Sequence, residues 1–360
     1  MKKIMKILIV DDSVLYRSQI RAAIETLPNT EIVGTAPHGK IALEKMKTSA
    51  IDLVILDLEM PEMDGLTTLR QMKIQNIKTQ AIVFSSVSQK GAEITMEALN
   101  AGALDFLPKP SSQDAAQDKN PVERLQRILI QKLQQIQETL FPPIDIEISA
   151  PTQTIPAPSS ATPIQKSIAG FRPQVLVIAS STGGPTALEM LFENLKGPFS
   201  FPILIAQHMP PVFTTSFASR LQRMSGIPTR EGVHGELLKP NQVYIAPGNF
   251  HMFVRGSKEA PSILLDQSPQ VNFVRPSADC LFESAAKIYG PSCLGFVLTG
   301  MGSDGLNGSR AVKEAGGKIV IQNKETCIVF GMPGAVFSAG TYDQVLPLTE
   351  IRTALMQLKL

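Results

Sequence analysis

Hydrophobic residues occur along the chain as short runs that alternate with longer amphipathic segments. In the first third the runs are KILIV, EIVGTA, DLVILD, AIVFSS and DFLPK, and segments such as VLYRSQIRAAIETL separate them. Short apolar runs are typical of buried strands, whereas apolar positions three or four apart are typical of helices. Strand and helix in strict alternation predict an α/β domain with a doubly wound parallel sheet.

The same alternation returns later in the chain, in the runs QVLVIAS, PILIAQH, LGFVLTG and KIVIQ. Between the two parts lies a stretch rich in Pro, Ser, Thr and Ala that has no sustained apolar period, which is typical of a linker. We therefore predict two α/β domains, each with a mostly parallel sheet. The predicted boundaries are 1–140 for the first domain with its last helix, 141–170 for the linker and 171–360 for the second domain.

Composition narrows the classes of protein that remain. A length of 360 residues suits two domains, and a net charge of +2 gives no reason to expect nucleic acid or anionic membrane as partner. The apolar runs are too short to span a membrane. The start, MKKIMKILIVDDS, is interpreted as the first strand of a cytoplasmic protein, because two acids follow its short apolar run. Three cysteines without C-x-x-C spacing, Cys280, Cys293 and Cys327, are interpreted as small buried apolar residues.

Polar and charged side chains follow the predicted strands of the first domain at their carboxyl ends. These residues are Asp11, Asp12, Asp57, Ser85 and Lys109. Sites of open parallel sheets form at this edge, so we expect the five side chains to meet there. Three carboxylates repel one another unless a cation holds them, and oxygen ligands suit Mg2+. Lys109 adds a positive charge that can reach a phosphoryl oxygen. The alternative is a set of unrelated strand-end caps.

The region from about residue 6 to residue 140 resembles a response-regulator receiver domain, on the pieces DDS, LDLEMPEMDG, FSS and FLPKP. The resemblance implies a flavodoxin-like fold in which Asp57 accepts a phosphoryl group that Ser85 and Lys109 hold. Phe106 falls at the aromatic switch position, although a plain core role is the alternative. The Mg2+ ligands that the resemblance implies are Asp12, Asp57, the backbone carbonyl of Glu59 and, through water, Asp11.

The second domain begins with VLVIASSTGGPTALEMLFENL, in which an apolar run ends at two serines before two glycines and a helical pattern. A serine at such a strand-to-helix turn lies near unpaired N–H groups, which can stabilise an oxyanion. The same turn can bind phosphate in a dinucleotide fold. That fold requires G-x-G-x-x-G and an acid about 20 residues later, and both are missing here. Dinucleotide binding is therefore disfavoured, and a hydrolytic serine remains a candidate.

A hydrolytic serine needs a base and a group that orients the base. His208 ends the run PILIAQH at the same predicted sheet edge as Ser181, and Asp304 lies in the glycine-rich turn after LGFVLTG. The other histidines of this domain are His234 and His251. Three apparent strand ends thus supply a candidate triad. The alternative is an N-cap serine, a structural histidine and an aspartate that only shapes its turn.

From about residue 173 to the end, the chain resembles the catalytic domain of the chemotaxis protein-glutamate methylesterase (CheB) family, on the pieces STGGP, AQHMP, VYIAPGNFHM, RPSADCLF and LTGMGSDG. A receiver joined by a linker to this Rossmann-like hydrolase domain is the architecture of the family. The resemblance selects Ser181 as nucleophile, with His208 and Asp304 completing the triad. The residues implied near the oxyanion, at the helix start and in the TGMG turn, are Thr182 and Met301.

The serine turn departs from the family's usual G-A-S-T-G-G, because Ala179 and Ser180 stand where the family has Gly and Ala. Ser180 is therefore the alternative nucleophile.

The resemblance also implies a function. The substrates would be glutamyl methyl esters of chemoreceptors, with methanol as leaving group and no metal in the hydrolysis. Receptor glutamines would be deamidated by the same route. A histidine kinase would supply the phosphoryl group, and the receiver would cover the active-site mouth until phosphorylation of Asp57 loosens it. One alternative is a phosphorylation-controlled binding module with an inactive hydrolase fold. A transcription factor is disfavoured, because no compact helix-turn-helix or basic stripe is present.

Overall fold

A computed structural model describes residues 4–110, 121–140, 168, 170–195 and 197–359. The first α/β unit has five parallel strands: β1 (Met5–Val10), β2 (Thr30–Ala36), β3 (Leu53–Asp57), β4 (Gln80–Ser85) and β5 (Asp105–Pro108). Their order in the sheet is β2-β1-β3-β4-β5. The helices are α1 (Val14–Ile24), α2 (Gly39–Thr48), α3 (Gly65–Ile74), α4 (Gln89–Asn100) and α5 (Pro121–Leu140).

Side-chain caps fix the starts of three of these helices. Ser13 accepts a hydrogen bond from the Tyr16 amide at α1, and Asp64 and Ser88 act in the same way at α3 and α4. Each cap satisfies an amide that has no partner within its helix. Helix α5, expected from its apolar spacing, buries one face against the first unit through Leu125, Leu129, Leu133 and Ile136. The predicted linker, 141–170, lies almost entirely outside the described residues.

The second unit has a seven-stranded parallel sheet and a separate antiparallel hairpin. The sheet strands are β6 (Val175–Ser180), β7 (Ile203–Gln207), β8 (Thr229–Glu231), β9 (Val243–Ile245), β12 (Cys293–Val297), β13 (Lys318–Gln322) and β14 (Gln344–Leu346). The hairpin pairs β10 (His251–Gly256) with β11 (Pro261–Asp266). The helices are α6 (Gly184–Phe192), α7 (Phe213–Ser225), α8 (Ala278–Tyr289), α9 (Leu306–Glu314), α10 (Met332–Ser338) and α11 (Leu348–Gln357), with a 3-10 turn at Gly290–Ser292.

The strand order places a switch point in each sheet. In the second sheet, β14-β13-β12-β6-β7-β9-β8, the chain leaves β6 in one direction toward β7 and later returns on the other side of β6 with β12. In the first sheet the same reversal occurs between β1 and β3. Connections on either side of such a point diverge and leave a crevice at the carboxyl ends of the strands. The predicted site residues of both units lie at these two crevices. The two-domain α/β architecture is confirmed.

The two units pack against each other. One apolar cluster includes Met96 and Phe106 of the first unit and Met209, Phe213 and Phe217 of the second, and all five are buried. Within the described residues, no helix is both long and apolar enough to cross a membrane.

Candidate active site and phosphorylation site

The histidine and the aspartate of the predicted triad are in contact. The Nε2 atom of His208, which follows β7, lies 2.7 Å from Oδ2 of Asp304, in the turn between β12 and α9. Gly305, next to Asp304, adopts φ 91° and so lets the chain turn sharply into α9. Because Nε2 is engaged by the carboxylate, Nδ1 is the ring nitrogen left for another partner.

Asp304 is buried in a shell of hydrogen-bond donors. Its carboxylate accepts bonds from the Ser277 hydroxyl at 2.7 Å, the Ala278 amide at 2.6 Å and the Asn272 side-chain amide at 2.9 Å. Burial alone would raise the pKa of this carboxyl, but the bond and charge of His208 and these donors together hold it well below its usual range. Asp304 is therefore a fixed, ionised partner for the His208 ring.

Ser181 lies at the end of β6, directly before the helix α6. Its amide donates to the carbonyl of Thr299, and its carbonyl accepts from the Gly184 amide. A Cβ at Gly300 would lie only 3.0 Å from the Ser181 Cβ, so the two turns approach each other closely there. Within the described part of the chain, the Ser181 hydroxyl has no hydrogen-bond partner. The side chain is therefore free to be the reacting group.

Ser180 is held very differently from its neighbour. Its hydroxyl is buried and lies 2.7 Å from Oε1 of Gln207, whose side-chain amide donates to the Ser181 and His208 carbonyls. The additional hydroxyl at this position thus ties β6 to β7 behind the reactive turn. A Cβ at Gly184 would lie 2.1 Å from Gln207 Oε1, which explains the second glycine of the turn. This geometry favours Ser181 over Ser180 as the accessible hydroxyl.

The backbone amides of Thr182 and Met301 donate to no acceptor among the described residues. Thr182 stands at the start of α6, where the helix dipole adds positive charge. Met301 follows Gly300, which approaches Ser181 as described above. Unpaired N–H groups in two turns that approach each other at Ser181 are candidate donors for a developing oxyanion.

The predicted phosphorylation site forms at the other crevice. Ligand oxygens of Asp11, Asp12 and Asp57 all lie within 4.8 Å of one another, and Lys109 Nζ lies 2.7 Å from Asp57 Oδ2. Burial, assisted by the negative charge of Asp57, raises the pKa of Asp11 to about 6. The pKa of Asp57 is also raised, by burial, although Lys109 opposes the shift. The site therefore carries more buried negative charge than its single lysine balances.

The cluster suits a divalent cation such as Mg2+. The Oδ2 atom of Asp11 is buried and has no hydrogen-bond partner within the described residues. This oxygen has only a long ion pair, with Lys109 Nζ at 3.8 Å, and Lys109 also pairs with Asp57. A buried carboxylate oxygen with so little compensation is costly unless a further cation satisfies it, and hard carboxylate oxygens match Mg2+. The Glu59 amide donates to Asp57 Oδ1 at 3.2 Å, which brings the backbone at Glu59 next to the cluster.

Ser85 lies at the end of β4, and its hydroxyl points toward α4. It lies 3.2 Å from the Gly91 carbonyl and 2.7 Å from the Thr95 hydroxyl. The side chain therefore connects the rim of the phosphorylation site to α4, a helix that packs against the second unit.

The first unit reaches into the active-site crevice of the second. The carboxylate of Asp105, on β5, accepts a hydrogen bond from the Thr182 hydroxyl, next to Ser181, and both residues are buried. Lys132 of α5 lies 2.6 Å from the same carboxylate. Phe106 packs against Phe213 of α7 with ring centroids 4.6 Å apart, so it contributes to the interface as well as to the core. Met301 is buried in a cluster with apolar residues of the first unit.

Sequence reasoning missed the polar residues that support the candidate triad. Asn272, Ser277 and Gln207 come from a loop, a helix cap and a strand end whose contacts span 26 to 32 residues of sequence. Of these three, Ser277 lies in the run RPSADCLF and Gln207 directly precedes His208, whereas no sequence signal indicated Asn272. His251 is buried against the Pro269 carbonyl and the Ser277 amide, and burial lowers its pKa. It is structural, as is His234, which contacts the Leu265 backbone.

The interpretation of the cysteines needs one correction. Cys280 and Cys293 are buried and free as expected, but Cys327 is only partly buried. It lies in the surface loop after β13, where the chain leaves the sheet. Burial raises the pKa of all three thiols, so none is activated.

These features define the class of protein: a receiver module packed against a second α/β unit with a serine, histidine and aspartate at its switch point. The family model for the CheB methylesterase matches residues 176–355, and that for the response regulator receiver domain matches residues 7–119. The chain therefore belongs to the CheB methylesterase family.

Individual relatives cover nearly the whole chain. A Nocardioides protein-glutamate methylesterase/protein-glutamine glutaminase is 41% identical over 349 residues, covering 96% of this chain and 93% of the relative. The Thermotoga maritima protein of the same name is 37% identical and covers 99% of both chains. The crystal structure of the Thermotoga maritima CheB methylesterase catalytic domain matches with 44% identity and a TM-score of 0.50, over 52% of this chain and all of that one.

Proposed function

We propose that this protein is a phosphorylation-activated protein-glutamate methylesterase and protein-glutamine glutaminase that acts on chemoreceptors in the cytoplasm during chemotaxis adaptation. Family membership gives the reaction, and the fixed His208–Asp304 pair beside the Ser181 turn is the observation that carries the site assignment. The catalytic residues are Ser181, His208 and Asp304. The chemoreceptor substrates and the histidine kinase that serves as phosphodonor follow from the two domains.

In the acylation step, His208 removes the Ser181 proton through Nδ1, because Nε2 is bonded to Asp304. The Ser181 oxygen bonds to the ester carbonyl carbon, and the amides of Thr182 and Met301 stabilise the oxyanion. The bond from this carbon to the methoxy oxygen then breaks, and His208 returns the proton so that methanol leaves. Asp304, whose pKa is held low, stabilises the protonated ring throughout. Contacts between serine and base often tighten only when the substrate binds.

In the second step, His208 takes a proton from water, and the resulting hydroxide attacks the acyl-enzyme. Ser181 leaves with that proton, and a glutamate carboxylate is released. A glutamine side chain follows the same route with ammonia as leaving group, so one site serves both reactions.

The first unit supplies regulation. Asp12, Asp57 and the Glu59 carbonyl would hold Mg2+ directly and Asp11 would hold it through water, while Lys109 and Ser85 would contact the phosphoryl group on Asp57. When bound, Mg2+ neutralises charge on the oxygens around Asp57 during phosphoryl transfer. Asp105 bonded to Thr182 supports a cover over the serine turn in the unphosphorylated protein. Phosphorylation changes the charge beside Lys109, four residues after Asp105, and shifts the balance toward release.

The test is release of methanol from a methylated chemoreceptor fragment. The full chain should release methanol slowly, and faster with Mg2+ and a small phosphodonor. A form without residues 1–140 should be fast without phosphodonor, provided that circular dichroism shows it to be folded. An inactive wild-type protein would identify a binding module instead. If the folded fragment is no faster than the unphosphorylated full chain, the first unit does not inhibit the active site, and that part of the proposal is wrong.

A further inference from the structure

A tight hairpin turn stands beside the catalytic aspartate. Val271 and Val274 exchange two backbone hydrogen bonds, of 3.2 and 3.0 Å, so only Asn272 and Phe273 form the loop. Both loop residues have positive φ, 53° and 63°, which is the pattern of a type I′ turn. Such turns favour Asn-Gly, because glycine adopts the second conformation without steric cost. Phenylalanine therefore occupies a position where the backbone prefers glycine.

The turn is fixed rigidly to the active site. The Asn272 side-chain amide donates to Asp304 Oδ1 at 2.9 Å and to Asp279 Oδ2 at 2.8 Å. Both carboxylates are buried, so the Asn272 side chain anchors the turn to buried groups next to the candidate triad. Phe273 is the next residue along the chain, so it directly follows the residue that contacts Asp304.

Phe273 is 81% exposed, the largest exposed fraction among the bulky apolar residues in the described part of the chain. The docked first unit does not cover it, and burial therefore does not compensate the backbone cost. A second exposed apolar residue lies next to the serine turn. Ile328 is 42% exposed, and a Cβ at Gly183 would lie 2.8 Å from its Cβ. Exposed apolar residues thus occur beside the residue that contacts Asp304 and beside the turn that carries Ser181.

We propose that Phe273 is a substrate-docking residue that packs against an apolar side chain of the protein segment carrying the glutamyl ester. This inference rests on the proposed function, and it names how that substrate is held. A protein substrate must approach closely enough for its ester to reach Ser181, so the segments beside the ester pass over the rim. An aromatic ring there gives a large apolar contact with few rotatable bonds. Because the ring is already exposed in the docked form, it is available before the active site opens.

The experiment compares Phe273→Gly with wild type, both with Mg2+ and phosphodonor. Glycine suits the turn, so the unfolding temperature should stay the same or rise. The KM for the methylated receptor fragment should rise about tenfold, as for loss of an aromatic interface anchor, with kcat unchanged. Hydrolysis of a small substrate, the γ-methyl ester of N-acetylglutamate, should not change. Phe273→Tyr should keep the wild-type KM. Met356→Ala, which truncates an exposed residue of α11, is the control and should have no effect.

The proposal is overturned if Phe273→Gly leaves the receptor KM unchanged. It is also overturned if both substrates lose activity equally, because the turn then acts only by positioning Asn272 and Asp304. Wild-type protein that hydrolyses the small ester but not the receptor ester would refute the proposed function and, with it, this role of Phe273.

Discussion

Removing the Asp105 carboxylate should weaken the packing of the first unit over the serine turn, even without phosphorylation. When the first unit is packed against the second, which is the docked form, this carboxylate accepts a hydrogen bond from the Thr182 hydroxyl. Both residues are buried there. Asp105→Ala leaves the hydroxyl without that partner when docked, whereas water can satisfy it when the first unit moves away. Asp105 belongs to the first unit, so the substitution leaves Ser181, His208 and Asp304 intact.

The size of the effect follows from the type of bond. A hydrogen bond to a charged group contributes about 1.5–3 kcal/mol. Docking also removes the carboxylate from water, and Lys132 at 2.6 Å offsets only part of that cost. A net loss of about 1–2 kcal/mol of docking free energy corresponds to a factor of about 5–30 in the open population. As long as most molecules remain docked, the basal rate of Asp105→Ala should exceed that of wild type by the same factor, because the rate is proportional to the open population.

The assay is the initial rate of methanol release from methylated receptor without phosphodonor. Asp105→Ala should be faster than wild type by that factor, and the two should converge when phosphodonor and Mg2+ are added. Asp105→Asn, which keeps an acceptor oxygen, should lie between them. In a Thr182→Val background, Asp105→Ala should add nothing, since the bond is already absent. A folded Asp105→Ala protein with the basal rate of wild type would refute the assigned role of this contact.

Three further outcomes are expected. Ser181→Ala should abolish methanol release while Ser180→Ala keeps most of it, because the Ser180 hydroxyl is turned to Gln207; the reverse result would identify Ser180 as nucleophile. Asp57 should be labelled by a small phosphodonor only with Mg2+, and equal labelling of Asp57→Asn or in EDTA would contradict the assignment. Asp11→Asn should raise the Mg2+-free unfolding temperature and abolish its response to Mg2+, because it removes a buried charge that is repelled by Asp57 and compensated only by Lys109 at 3.8 Å; an unchanged response in calorimetry would exclude Asp11 from the cation site.

The placement of both candidate sites could be predicted because each lies at the carboxyl ends of parallel strands. Asp57 ends β3, His208 follows β7, and Ser181 follows β6, so local runs of apolar residues were enough to locate them. The convergence of these ends follows from the parallel pairing that alternating strands and helices impose. The choice between two adjacent serines required more, since it depends on which hydroxyl Gln207 engages.

Contacts that join distant parts of the chain could not be predicted in the same way. The hydrogen bond between Asp105 and Thr182 joins residues that are 77 positions apart in the sequence. The chain between them contains the stretch of linker composition, and that composition does not indicate how the two units pack. The hairpin of β10 and β11 and the following turn were also missed, because the short run HMFVRG resembles a loop as much as a strand. The contact between Asn272 and Asp304 depends on the conformation of that turn, so it could not be predicted either.

One short segment joins the two sites. Asp105 and Phe106 on β5 contact the second unit at Thr182 and Phe213, and Lys109, at the end of the same segment, contacts Asp57. A strand paired along its length moves as a rigid piece, so a shift of Lys109 toward a phosphoryl group also moves the two interface contacts. The buried groups at the interface can only be docked or hydrated, since an intermediate position leaves Thr182 and Asp105 unsatisfied. A small displacement at Asp57 is therefore converted into a change between two states of the active-site crevice.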